Sequence, residues 1–138
     1  MPSYLRGEVF HDKLFFYSNN PIPCDKLLLV LNKNHKGNED VVIVPATTNK
    51  RDYPYMQGCN KNDKVYYVKQ QTEFYRDKSI IQYEFVESVP IEEFERRKTS
   101  KQMSLLKNKV IGRELQAILD CLKSIKEDIP PEIFDLIF

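Results

Sequence analysis

Residues 41–48 read VVIVPATT, and Tyr53-Pro54-Tyr55 follows a few positions later. Val41, Val42, Ile43 and Val44 are a β-branched run with no polar alternation, the pattern of a strand covered on both faces. Pro45 is expected to end its regular pairing, leaving Thr47 and Thr48 where the chain quits the sheet. Hydroxyls and backbone N–H groups at such a place suit an anionic ligand, although threonines serving a turn are the commoner arrangement.

Working outward, residues 26–31, KLLLVL, form a second apolar run, and residues 32–40, NKNHKGNED, are a turn-rich connection around Gly37-Asn38. The two buried strands are expected to pair as a long hairpin. Residues 5–10 and 14–17 read as strand pieces, or as one strand with a turn or bulge at His11-Asp12-Lys13, and residues 17–24, YSNNPIPC, as a loop. Residues 52–64 read as loop, and residues 65–70 and 72–75 as strands. Residues 79–89, SIIQYEFVESV, alternate as a strand with a bulge near Val86. Pro90 with Glu92 and Glu93 starts a short helix to about Glu95. Residues 96–101 then read as a basic loop. Ile111, Leu115, Ile118, Leu119, Leu122 and Ile125 recur at helical spacing. Pro130-Pro131 stops that helix, and the closing EIFDLIF is too apolar for a solvated tail: docking on the body of the protein is the favoured reading, a partner or dimer contact the other. With β elements first and helices after about Pro90, the fold class is α+β, mainly β: a small barrel or curled sheet carrying a short helix and a longer C-terminal helix.

The 138 residues fit one domain. With 21 Lys and Arg against 20 Asp and Glu, the net charge is +1, so any polyanion site is local. Cys24, Cys59 and Cys121 are odd in number and show no metal or redox spacing, which reads as reduced thiols in a cytoplasmic protein. No apolar run approaches the roughly 20 residues of a membrane span, and the N-terminus has no signal-peptide pattern.

Five segments resemble the MazF and PemK family of toxin endoribonucleases, which have an SH3-like β-barrel with attached helices. Arg6-Gly7-Glu8-Val9 is similar to the family's opening strand, and residues 26–32, KLLLVLN, to its RPxVVLS strand. VPATT with Asn49 and Tyr53-Pro54-Tyr55 resembles the VPxTT strand end and its following YP(F/Y), the most specific match. Residues 80–89 and 111–124 are similar to the later strand and the closing helix. The chain departs from the pattern at Lys26-Leu27, which replaces Arg-Pro, and at Glu84-Phe85, which replaces Asp-Gln. Residues 57–78 are longer than the family connection, and the family's acid before the arginine has no clear counterpart within YSNNPIPC, although Asp25 is adjacent to Lys26.

The resemblance implies a sequence-specific, metal-independent endoribonuclease toxin, with no cofactor, that cleaves single-stranded RNA through a cyclic phosphate. It further implies a homodimer and a cognate antitoxin as partner. Lys26 then supplies charge and a proton, and Thr47 donates to the phosphate. Thr48, Asn49, Arg51, Tyr53, Tyr17 and Asp25 are the candidate phosphate and RNA contacts, with Arg51 able to compensate for the missing arginine. Lysine keeps the charge but loses the bidentate grip of guanidinium. A second reading is therefore a weakened or inactive barrel that binds RNA or protein. His11 and His35 read as solvated turn residues, Glu92 and Glu93 as a helix-start pair, and the several tyrosines either as base-stacking groups or as half-buried strand residues.

Overall fold

The computed structural model describes residues 3–47, 58–68 and 80–138. Among these, eight strands form one antiparallel sheet in the order β4-β5-β6-β3-β2-β1-β8, with β7 also paired to β3. The strands are β1 Val9–Phe15, β2 Cys24–Val30, β3 Val41–Thr47, β4 Gly58–Asn60, β5 Val65–Tyr67, β6 Ile80–Gln82, β7 Glu87–Val89 and β8 Met103–Leu105. Three helices accompany them: α1 Ile91–Thr99, α2 Gly112–Ser124 and α3 Pro131–Ile137. The chain is thus α+β. The edge strands β4 and β8 do not pair with each other, so the sheet is open.

The expected hairpin is β2–β3, with Leu27 opposite Ala46 and Val30 opposite Ile43. Buried Asn32 closes it, accepting from Val42 N at 2.7 Å and donating to Asp40 O at 2.9 Å. Pro45 does not end the strand as expected: it pairs with Leu28, and β3 continues to Thr47. The reason lies in the edges. Leu31 N donates to Val42 O, so even-numbered residues of β3 face β2 and the Pro45 nitrogen faces the other side. There β7 pairs with residues 41–43 and β6 with residues 46–47, and proline occupies the gap between them.

Alternation along the strands makes two faces. On one, Val9, Leu29, Val42, Val44 and Ile81 pack with Ile118 and Leu122 of α2 and Ile133 and Ile137 of α3. The apolar C-terminus is docked, as expected: Lys33 N donates to Leu136 O at 3.0 Å, and the Arg6 guanidinium reaches Leu31 O and Ile137 O. Gly7 has φ +94°, and a Cβ there would meet Val110 O at 2.2 Å, so this position admits only glycine. On the other face, Phe10, Leu28, Val30 and Ile43 pack with Phe94 of α1, and a smaller group of Val65, Tyr67 and Ile80 lies beyond.

Several expectations need correction. The break in residues 79–89 is a 3-10 turn at Tyr83–Phe85 joining β6 to β7, not a bulge. Helix α1 runs to Thr99, so most of the supposed basic loop is helical; Glu93 holds Arg96 and Arg97 one turn on. One reading does hold: the register of β1 shifts between Asp12 and Phe15, so the strand pieces are one strand with an irregularity there, although it begins at Val9 rather than Leu5. Strand β4 lies inside the expected 52–64 loop, and β8 was not expected. Cys59 and Cys121 are joined by a disulfide across 62 positions, while Cys24 is free. The thiols therefore give no argument for a reducing compartment. No described helix is long and apolar enough to cross a membrane.

Candidate functional site

Because Leu27 lies opposite Ala46, Lys26 and Thr47 come side by side, and the Lys26 ammonium donates to Thr47 Oγ1 at 2.9 Å. Lys26 is partly exposed and Thr47 is 4% exposed. Asp12 is the cross-strand partner of Lys26 on β1, and Met103 that of Asp12 on β8, so Thr47, Lys26, Asp12 and Met103 form one row over four strands. Above the row, the Lys26 ammonium lies 5.7 Å from the Tyr17 ring centroid, and Tyr17 O–H donates to Gln82 Oε1 at 2.6 Å. Gln82, on β6 two residues beyond Ile80, the partner of Thr47, is 6% exposed.

Asp12 is fully buried and accepts from Gln102 Nε2 at 2.9 Å, Leu14 N at 3.0 Å and Arg97 at 3.3 Å. Arg97 also donates to Glu93 at 3.2 Å. The nearby Glu87 carboxyl is pushed up by burial, pulled down by Arg97 and pushed up again by Asp12. The site thus joins an ammonium and an alcohol beside a buried, fully partnered carboxylate. A threonine hydroxyl is by type both an acceptor and a donor. Such a pair of donors suits a phosphate oxygen.

Of the residues singled out from sequence, the structure brings together Lys26, Thr47 and Tyr17. Asp25 is not with them: it follows the strand alternation to the opposite face, where its carboxylate meets the His11 ring. Thr48, Asn49, Arg51 and Tyr53 lie outside the described residues. His11 is a strand residue rather than a turn residue, opposite Leu27 and Ser104. His35 is buried rather than solvated, with Nδ1 accepting from Tyr4 N at 3.3 Å and Nε2 within 2.7 Å of Glu39 O, contacts that give it a structural role. Tyr66 and Tyr67 are 2% and 1% exposed, so neither offers a face to a base. Burial, with Glu114 adding to it, pushes the Tyr66 phenol far up. Gln82, Asp12 and Arg97 were missed. The IIQ triplet carried a signal for Gln82, an amide directly following two apolar residues, whereas Asp12 and Arg97 are 85 positions apart.

A cavity of about 480 Å³ lies between β4 and α2 beside the disulfide, lined by residues including Tyr66 and Asp120, on the helix-covered side. It is separate from the Lys26 row. The chain matches no protein-family model and no curated protein.

Proposed function

We propose that this chain is a metal-independent endoribonuclease acting on single-stranded RNA, an SH3-like barrel of the MazF and PemK kind. In this reading it is the cytoplasmic toxin of a toxin–antitoxin pair, a homodimer countered by its antitoxin. The observation that carries the reading is the 2.9 Å contact between Lys26 Nζ and Thr47 Oγ1 at the end of a strand row. RNA cleavage needs the 2′-oxygen to attack its own phosphate, the 2′-proton to leave to water, and the 5′-oxygen to gain a proton as its bond to phosphorus breaks. Lys26 stabilises the phosphorane's extra charge and protonates the leaving oxygen, and Thr47 donates to a non-bridging oxygen. Tyr17 steadies the ammonium and is itself held by Gln82.

A binding module without catalysis is the second reading, favoured by one observation. Arg97, the guanidinium nearest the row in the contacts above, is occupied by Asp12 and Glu93. Incubating mixed-sequence RNA in EDTA with wild type, Lys26→Ala and Thr47→Ala separates the two. Cleavage that falls about 10²- to 10³-fold in each variant supports the enzyme. Background cleavage by all three supports the module.

A further inference from the structure

Between residues 96 and 113 the chain carries seven Lys or Arg and no Asp or Glu, in a protein whose net charge is +1. The first three of these are paired: Arg96 and Arg97 with Glu93, Arg97 also with Asp12, and Lys98 with Glu95. The other four, Lys101, Lys107, Lys109 and Arg113, are exposed. None of them is in an ion pair among the described residues.

Their placement follows the sheet edge. Lys13 N donates to Gln102 O, Leu106 N to Val9 O and Val110 N to Gly7 O, so residues 102–106 run along residues 9–13 of β1 and the chain stays beside this edge as far as Gly7. The partner residues run from Lys13 to Gly7, a span of at most about 20 Å at strand spacing. Near one end, Met103 is the last member of the row that begins at Thr47 and Lys26. Strand spacing puts β8 about 10 Å from β2, a reach of one or two nucleotides. We propose that this edge is a track for the phosphates of single-stranded RNA, continuing the strand whose reacting phosphate sits at Lys26 and Thr47. The starting point of the track rests on the ribonuclease reading; the track itself rests on four cations with no ion pair among the described residues, Lys101 just before this edge, Lys107 and Lys109 on it and Arg113 in the first turn of α2, with no acid among them in sequence. Cations on an edge strand also discourage strand addition. Reversal to glutamate keeps that protection and removes only the attraction for phosphate.

The test uses the full chain with Lys101, Lys107, Lys109 and Arg113 all changed to Glu, and a control with Lys36, Lys61, Lys123 and Lys126 changed to Glu. Binding is measured to a 2′-O-methyl RNA of about 25 nucleotides, which has no attacking hydroxyl, and cleavage to an unmodified RNA of about 5 nucleotides. The edge variant is expected to lose about tenfold or more in affinity. The slope of log K against log salt is expected to fall by about 3, since each single-strand phosphate contact contributes about 0.7. The control is expected to lose less than about threefold. Equal affinity in the edge variant and wild type, or equal losses in the edge variant and control, overturns the track. Displacement of the RNA by polyglutamate at equal charge concentration assigns the edge to an acidic peptide and also overturns it. Absent cleavage of the short RNA by wild type, with the salt-dependent difference intact, sinks the ribonuclease reading and leaves the track standing.

Discussion

The two faces of the sheet are built on different principles. The face under α2 and α3 is apolar from Val9 through Val44 to Ile81, and its few polar groups are closed off inside it, as where Tyr83 O–H donates to Ile118 O at 2.7 Å. On the opposite face the apolar groups around Phe10 and around Tyr67 are separate, and between them come Asp12, Lys26, Thr47 and Gln82. Burying polar groups costs free energy unless every one is partnered. One face therefore holds the fold together, and the other carries a polar interruption that stability alone does not call for.

The comparison is broken most forcefully by equal truncations on the apolar face. Leu122→Ala empties a fully buried position and is expected to cost about 2–5 kcal/mol, read from chemical unfolding, with RNA cleavage per folded molecule unchanged. A matching loss of specific activity would mean that the faces are not separable. Cys59→Ser removes the tie between β4 and α2 across 62 positions and is expected to cost about 2–4 kcal/mol. Equal melting of wild type with and without reductant would contradict that.

The smallest effect sharpens the polar face. The Glu87 carboxyl is raised in the folded state, chiefly by burial. A raised group adds stability below its unfolded value, near pH 4.3, and loses it as pH rises through the folded value. Glu87→Gln is therefore expected to be more stable than wild type at neutral pH and to lose that advantage in acid. A variant less stable than wild type at neutral pH would show that the attraction of Arg97 outweighs desolvation.

What sequence made legible follows range of interaction. The β2–β3 hairpin was readable because two apolar runs flank a Gly37-centred turn, and with it came the Lys26–Thr47 pairing, which needs only the hairpin register. Helix α2 was readable from its stripe, and docking of the C-terminus from its hydrophobicity. Strands β4 and β8 were not, since GCN and MSL are three residues each and take their conformation from their neighbours. The length of α1 was encoded locally by Glu93 with Arg96 and Arg97, a signal outweighed by reading the basic run as loop. Asp25 was misplaced although strand alternation already forbade it from sharing a face with Lys26. The Asp12–Arg97 pair and the disulfide join distant segments and leave no local mark.

The central claim is that Lys26 and Thr47 act together on one phosphodiester. Its most direct test is the chemistry of the RNA ends after incubation in EDTA with wild type and with Lys26→Ala. Fragments ending in a 2′,3′-cyclic phosphate and a 5′-hydroxyl from wild type, nearly absent with the variant, are the expected result. Intact RNA with wild type, or the same fragments in the same yield from the variant, would contradict it.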